Sequence, residues 1–137
     1  MPSIAADAGP LVALFDGSDR HHATAVSFIA GLRQPLITNL VVIGEVVALL
    51  ASRFQVEFLN WAMEALQIDR ETAGDLPRVV EIMMKYADLP ADLADASLVA
   101  MCERRGITSV ATLDQHFDVY RTADRKRLRN IFSSSGL

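Results

Sequence analysis

The segment Ser3-Ile4-Ala5-Ala6-Asp7 is a short apolar run that ends in a carboxylate. A run of this length bounded by a polar residue predicts a buried strand, which would leave Asp7 at the carboxyl end of that strand. An ionised carboxylate in apolar surroundings costs several kcal/mol unless it is paired, hydrogen-bonded or bound to a metal. Asp7 therefore needs a partner that its sequence neighbours do not supply.

Three further carboxylates lie in similar surroundings. Glu45 interrupts the apolar run 40–50, Asp95 lies inside the run 93–101, and Asp114 follows residues 109–113. Because none of the four acids has a basic neighbour in the sequence, they need a common counter-charge. A divalent metal is the simplest candidate, since Mg²⁺ and Mn²⁺ prefer carboxylate oxygens. Such a site can polarise a scissile phosphate and lower the pKa of a bound water, and it needs no nucleophilic serine.

Each acid also has a purely structural interpretation. Asp7 could cap the helix that follows it, Glu45 could make a buried hydrogen bond, and Asp114 could serve a turn. Asp92 is expected to be an N-cap, and Asp95, three residues later, could stabilise the helix dipole. Because Asp92 and Asp95 share one helical face, Asp92 is also a candidate for the outer shell of the site. The joint pattern, more than any single acid, indicates a metal site.

Length and composition predict one globular domain over residues 1–137. The chain is 51% hydrophobic and 22% charged, which excludes a disordered protein. Cys102 is the single cysteine, so no internal disulfide is expected. The sequence shows neither a signal-peptide pattern nor an apolar run long enough to span a bilayer. We therefore expect a cytoplasmic protein that does not associate with membranes.

Short apolar runs alternate with helical patterns along the chain. Strands are predicted at 3–6, 36–38, 66–69 and 107–113, with an edge strand near 130–132. Helices are predicted at 10–16, from an Asp19 cap to before Pro35, and at 40–53, 56–66, 75–87 and 92–105, the last of them ended by Gly106. This alternation predicts an α/β fold, a three-layer α/β/α sandwich with a short, mainly parallel central sheet. Ligands of such sheets gather at the carboxyl ends of the strands, where Asp7 and Asp114 are both expected.

The helical patterns also predict which faces are buried. The run 40–53 is apolar nearly all round, which predicts a buried helix. The remaining apolar faces are expected through Leu59, Ala62, Met63 and Leu66, and through Leu76, Val79, Val80 and Met83.

Basic residues are concentrated near the carboxyl end of a chain whose net charge is −4. They are Arg121, Arg125, Lys126, Arg127 and Arg129. An acidic pocket beside a basic segment suits a metal-dependent enzyme that acts on a polyanion. A basic run is also typical of a solvated face, so the residues alone leave both interpretations open.

Four segments of the chain resemble the PIN domain family. The run Ile4–Phe15 is similar to the start of a PIN domain, in which an aspartate ends the first strand. Ile43-Gly44-Glu45-Val46 resembles the segment of the second acid. Asp92-Leu93-Ala94-Asp95-Ala96 resembles the helix of the third acid, and Ala111-Thr112-Leu113-Asp114 followed by Tyr120-Arg121 resembles the segment of the fourth. The order and spacing hold over essentially the full chain.

The size of the chain resembles the VapC toxins of type II toxin–antitoxin pairs. This resemblance implies a Mg²⁺- or Mn²⁺-dependent endoribonuclease, a hydrolase that is usually a homodimer and is inhibited by a cognate antitoxin. Asp7, Glu45, Asp95 and Asp114 would be its metal-binding and catalytic acids. Thr112 would supply a hydroxyl beside the pocket, and a metal-activated water would attack the RNA phosphodiester. The basic residues from Arg121 to Arg129 would hold the RNA backbone.

Two other interpretations compete with a nuclease. A PIN-like module could bind RNA or a protein without catalysis, because the presence of the acids does not establish activity. A receiver domain has a similar size and an acidic Mg²⁺ pocket, but it needs a lysine at a strand terminus. Neither Lys85 nor Lys126 is predicted to lie at such a terminus, so the sequence disfavours this class.

Overall fold

The computed structural model describes residues 2–132. Its strands are β1 (Ile4–Ala6), β2 (Leu36–Asn39), β3 (Leu66–Asp69), β4 (Ser109–Ala111) and β5 (Arg129–Asn130). Its helices are α1 (Ala8–Phe15), α2 (His22–Ala30), α3 (Leu40–Leu49), α4 (Ser52–Ala65), α5 (Thr72–Lys85) and α6 (Leu93–Arg105). A 3₁₀ turn, Gln115–Asp118, follows β4. Within residues 2–132, no helix has the length and apolar content needed to cross a lipid bilayer.

The strands form one sheet in the order β3-β2-β1-β4-β5, and each strand is parallel to its neighbours. The predicted α/β fold, a three-layer sandwich around a parallel sheet, is thereby confirmed. β1 is the central strand, and all three of its residues are buried. From β1 the chain builds outward first to β2 and β3, then on the other side to β4 and β5. The order thus reverses between β1 and β4, where sheets of this type bind ligands.

Helix α6 carries the third acid into the core as the sequence predicted. Asp92 is its N-cap, and Oδ1 of Asp92 accepts a hydrogen bond of 2.8 Å from the backbone N–H of Asp95. Gly106 ends the helix with φ at 68°, a left-handed conformation that glycine adopts without steric cost. Residues 94–102 are all buried, so α6 is a core helix that holds Asp95 from inside the fold.

The run 40–53, predicted to be one buried helix, is instead divided between two helices. Leu50 and Ala51 have extended backbone and link α3 to α4. Gln55 Nε2 donates a hydrogen bond of 2.7 Å to the carbonyl of Val47. A side chain from the next helix therefore satisfies the end of α3, which makes the early stop stable.

The apolar faces predicted for α4 and α5 are partly wrong. In α4 the core residue besides Ala62 is Phe58, whose ring lies 5.5 Å from that of Phe15. In α5 the buried residues are Asp75, Val79 and Ile82. The predicted residues that are exposed instead are Leu59, Met63, Leu76, Val80 and Met83. The contact between Phe58 and Phe15 determines which face of α4 is buried. The ion pair between Asp75 and Arg104 determines which face of α5 is buried.

Three predicted boundaries also move. α1 begins at Ala8, before Pro10, because Asp7 already lies at the N-cap position. Asp19 is not the cap of α2, which begins later with His21 at the N-cap position. Strand β4 is shorter than the predicted 107–113, because the chain leaves the sheet after Ala111 and leads into the 3₁₀ turn.

Candidate active site

Four acids from separate parts of the chain line one cleft. The cleft has a volume of 250 Å³, and its lining includes Asp7, Glu45, Asp95 and Asp114 together with Asp92. Within residues 2–132, no basic side chain lines this cleft. The fold therefore brings together the acids that the sequence singled out, at the carboxyl end of the sheet.

A threonine hydroxyl connects two of these acids. Thr112 Oγ1 donates a hydrogen bond of 2.7 Å to Oδ2 of Asp7 and accepts one of 2.9 Å from the backbone N–H of Asp114. Asn130 in turn fixes Thr112, since Asn130 Nδ2 donates to the Thr112 carbonyl at 3.1 Å. The backbone N–H of Asp7 also donates to the Ala111 carbonyl at 2.9 Å. Strands β1, β4 and β5 thus position this half of the cleft together.

A buried asparagine fixes the other half. Asn39 is the N-cap of α3, where its Oδ1 accepts a hydrogen bond of 3.0 Å from Val42 N–H, and α3 carries Glu45. Asn39 Nδ2 donates to Oγ of Ser97 in α6 at 3.1 Å. Because Asp95 lies two residues before Ser97 in α6, this contact sets the position of α3, and with it Glu45, relative to the helix that carries Asp95.

The structural interpretations of the acids hold for some of them. Asp92 is the cap of α6 and also lines the cleft. Asp114 caps the 3₁₀ turn, because its Oδ1 accepts a hydrogen bond of 2.9 Å from His116 N–H. The side chain of Asp7 makes no capping hydrogen bond to α1, so capping does not explain this buried carboxylate.

The acids raise each other's pKa. Burial raises the pKa of Asp95 to about 8, and the negative charges of Asp7, Asp92 and Asp114 add to this effect. Burial raises the pKa of Asp7 as well, against the opposing hydrogen bond from Thr112. The pKa of Glu45 is raised by burial and then by the same negative charges. The cleft therefore concentrates negative charge that a cation would relieve.

The donor set fits a hard divalent cation by its chemistry. The donors are carboxylates, and their mutual repulsion favours binding of a positive ion. Within residues 2–132, no three carboxylate, histidine or cysteine side chains form a preassembled metal-binding group. The hydroxyl of Thr112 donates to Asp7 at 2.7 Å, and the hydroxyl of Tyr120 donates to Asp95 at 3.3 Å. These donors hold the carboxylates in place on the cleft wall.

The basic segment lies beside the cleft and divides by role. Arg127 and Arg129 line a groove of 820 Å³ that also includes Asp114. Arg121 instead donates through Nη1 to three carbonyls of its own loop, at 2.8–2.9 Å. Lys126 lines a separate cavity of 170 Å³, and Arg125 is exposed with φ at 65°.

Sequence reasoning missed four residues near the cleft. Arg20 and His21 line the groove beside Asp114, whereas the sequence predicted only that a helix begins after Asp19. Tyr120 is fully buried and donates to Oδ2 of Asp95, and Asn130 holds Thr112. Tyr120 lies inside the fourth-acid segment, which was the available signal. The other three residues carry no local pattern that predicts a site.

The fold and the acidic cleft define a PIN-type domain. A model of the PIN domain matches residues 4–123, and the chain belongs to this family. It is similar to Ribonuclease VapC26 of Mycobacterium tuberculosis, at 27% identity over 121 residues that cover 84% of this chain and 90% of that protein. The predicted resemblance to VapC proteins is thus confirmed.

Solved structures share the fold. VapC20 of Mycobacterium tuberculosis, a toxin that cleaves the Sarcin-Ricin loop, matches with a TM-score of 0.77 at 23% identity, over 85% of this chain and 93% of that chain. FitAcB of Neisseria gonorrhoeae matches with a TM-score of 0.50 at 16% identity, over 81% of this chain and 87% of that chain. At these identities the likeness concerns the fold alone.

Proposed function

We propose that this protein is a Mg²⁺- or Mn²⁺-dependent endoribonuclease, the toxin of a type II toxin–antitoxin pair. The observation that carries the proposal is the cleft lined by Asp7, Glu45, Asp95 and Asp114. A ribonuclease, VapC26, is among the relatives of the chain. We further propose that residues 1–137 act as one domain.

The acids divide the work. Asp7 and Asp95, the two most buried, would be the central metal ligands, and Glu45 and Asp114 would complete the shell or orient the attacking water. When bound, the metal would neutralise phosphate charge and lower the pKa of a bound water. Asp92 caps α6 and would contribute to the outer shell from the rim of the cleft.

Two hydroxyl groups would hold the central acids. Thr112 donates to Oδ2 of Asp7 and Tyr120 donates to Oδ2 of Asp95, so neither carboxylate can rotate without losing a buried hydrogen bond. Rigid ligands of this kind lower the reorganisation that substrate binding and hydrolysis require.

The experiment compares cleavage by matched variants. Purified protein, freed of any partner, is given a mixed RNA with Mg²⁺, with Mn²⁺ and with EDTA. We expect cleavage in either metal, and none in EDTA or for Asp7→Asn. Asp88→Asn is the control, since Asp88 is exposed and lies outside the cleft. Cleavage that persists in EDTA or in Asp7→Asn would refute the assignment. If calorimetry detects no metal binding, the chain is a non-catalytic binding module instead.

We also propose two protein partners. The family resemblance implies a cognate antitoxin that covers the cleft, and a second copy of this chain. The surface of α5 suits the second role, because it exposes the apolar side chains of Leu76, Val80 and Met84, which follow one another at helical spacing.

A further inference from the structure

A groove with basic residues on two walls opens into the acidic cleft. Arg20 and His21 lie in the turn between α1 and α2. Arg127 lies just before β5, and Arg129 is its first residue. The groove has a volume of 820 Å³. Because its basic residues come from opposite ends of the chain, the fold, and not a single basic run, creates the positive surface.

Both walls are held by hydrogen bonds. On the first wall, Asp19 Oδ1 accepts from His21 N–H at 2.8 Å, and Arg20 Nε donates to His21 Nε2 at 3.1 Å. On the second wall, Arg129 N–H donates to the Thr108 carbonyl at 2.7 Å as part of the sheet. The groove therefore keeps its shape without a ligand, which lowers the entropy cost of binding.

The C-terminal segment that carries the second wall is also anchored in the core. The ring of Phe132 lies 5.3 Å from that of Phe28 in α2. Both rings are buried, so this contact ties the chain after β5 to the helix that follows the first wall. The spacing between the two walls is thus set by core packing.

The groove meets the cleft on one side only. Leu113 and Asp114 line both, so the groove reaches the site past β4. The far wall of the cleft is formed by Glu45 and Leu49 of α3, and within residues 2–132 no basic side chain lines that wall. Within the described residues, the basic side chains that line the groove or the cleft therefore all lie on the Asp114 side.

We propose that this groove, whose lining includes Arg20, Arg127 and Arg129, binds the phosphate backbone of single-stranded RNA on one side of the cleaved bond. This inference rests on the proposed nuclease function and adds a residue, Arg20, that the basic run near the carboxyl end does not contain. Guanidinium groups suit the role because they bind phosphate oxygens in bidentate fashion.

The lining of the groove favours RNA over a protein partner. Apart from its basic residues, most side chains of the lining are polar, among them the amides of Gln115 and Asn130 and the carboxylate of Asp118. A helix of a partner would need an apolar surface here, and the apolar lining is limited to Leu113 and Leu128. Amide groups beside basic ones are typical of contacts to sugar, phosphate and base edges.

The first experiment measures binding without cleavage. A labelled single-stranded RNA is titrated in EDTA with an Asp7→Asn/Asp95→Asn protein, which carries less negative charge in the cleft. On this background Arg20→Gln and Arg127→Gln should each weaken binding several-fold, and each should lower the slope of log K against log salt by about 0.7. Arg20→Lys keeps the charge, so it should restore the salt slope but only part of the affinity. Arg33→Gln is the control, because Arg33 is exposed and lines a cavity outside the groove.

The second experiment tests the one-sided contact. An RNA whose cleaved bond has been mapped is shortened stepwise from either end. Shortening from one end should weaken binding, and Arg20→Gln should reduce that dependence on length. Shortening from the other end should have little effect. Equal losses from both ends would overturn the one-sided arrangement.

The outcomes separate this inference from the nuclease proposal. If the groove variants bind RNA as the parent does, or if the parent does not bind RNA, the groove assignment is wrong. If they keep RNA binding but lose a protein partner, the groove is a protein-binding surface and the assignment is again wrong. If RNA binds through Arg20 but is cleaved in neither metal, the nuclease proposal fails while the groove assignment stands.

Discussion

The hydroxyl of Thr112 donates a hydrogen bond of 2.7 Å to the carboxylate of Asp7, although 105 positions separate the two residues in the chain. The same oxygen accepts the backbone N–H of Asp114 at 2.9 Å. One side chain therefore orients one acid of the cleft and the backbone of another. Its removal should affect the site more than the fold.

Thr112→Val should lower RNA cleavage by about 10- to 100-fold, the usual effect of losing a partner of a metal ligand. Thr112→Ser keeps the hydroxyl and should retain most of the activity. Thr38→Val is the matched control for loss of a buried hydroxyl, since Thr38 donates to the backbone carbonyl of Ala6 at 2.8 Å and not to a carboxylate. Steady-state cleavage measures the activity of each variant, and metal titration measures its affinity for the metal. Equal activity of the Val and Ser variants would contradict the assigned role.

The stability of the metal-free protein should depend on pH through Asp95. Burial and the neighbouring acids raise the pKa of Asp95 in the folded state to about 8, from 3.8 in the unfolded state. The protonated form is thus favoured on folding, and its contribution is full below pH 4 and is lost as pH rises toward 8. In EDTA, the Tm of the wild type should therefore fall relative to that of Asp95→Asn as the pH rises from 4 to 8.

Added Mg²⁺ should reverse this loss at pH 8, because the cation binds the ionised form. Thermal unfolding in EDTA and in Mg²⁺, at several pH values, measures both effects. If the difference in Tm between wild type and Asp95→Asn does not change with pH, the acids are not coupled as the structure indicates.

A separate ion network should govern acid stability. Asp69 ends β3 with its carboxylate fully buried, where it accepts from Arg104 at 2.6 Å and from Arg105 at 2.7 Å. Arg104 also bonds Asp75 at 2.9 Å, which joins α5 to α6. Burial raises the pKa of Asp69, but the hydrogen bonds from both arginines outweigh it and hold the pKa below its usual value.

Because the folded-state pKa of Asp69 is depressed, its contribution is present above pH 4 and is lost as pH falls through the folded-state pKa. Asp69→Asn should cost about 1.5–3 kcal/mol, since it removes the buried carboxylate that accepts charge-assisted hydrogen bonds from Arg104 and Arg105. Urea unfolding at neutral and acidic pH measures this loss. Asp124→Asn, at an exposed ion pair with Lys126, should change stability by less than about 1 kcal/mol.

Glycine at position 9 should matter for activity more than for stability. A Cβ added at Gly9 would lie 3.1 Å from the side chain of Leu113, the residue before Asp114. Gly9→Ala should displace Leu113 by a few tenths of an ångström and reduce cleavage several-fold. Gly74→Ala in α5 meets nothing within 4 Å, and it should add about 0.5–1 kcal/mol of stability without loss of activity. Unchanged cleavage in Gly9→Ala would show that the loop tolerates this shift.

The proposed homodimer can be tested on α5. Val80→Glu places a charge in the middle of the exposed apolar stripe and should shift the protein from dimer to monomer in light scattering. Val26→Glu makes the same change at an exposed valine of α2 and should leave the dimer intact. A dimer that survives Val80→Glu would place the interface elsewhere.

The sequence predicted the sheet and α6 because the signals there are local. The apolar run before Asp7 sets β1, and Asp92 and Gly106 set the two ends of α6. It failed at residues 50–51, where the stop of α3 depends on a side chain of the next helix, Gln55. No local pattern encodes such a contact.

The acids were found because a carboxylate in an apolar run is conspicuous at any position. The groups that hold them were found only in part. Tyr120 and Asn130 lie after β4 in the chain, and they hydrogen-bond to Asp95 and Thr112 only because the sheet brings these segments together. Asp75 affects the orientation of α5 through its ion pair with Arg104. Arg20 joins the groove from the far end of the chain. Such residues gain their roles only from tertiary packing.

The last strand, β5, has a consequence for how the protein is made. The chain emerges from the ribosome N-terminus first. Asp7, Glu45 and Asp95 are therefore exposed well before Thr112, Asp114 and Asn130 are. The nascent chain would thus lack the second wall of the groove and the hydrogen bond to Asp7 until residues 112–130 have emerged. The cleft would therefore gain its fixed geometry only after β5 has paired with β4.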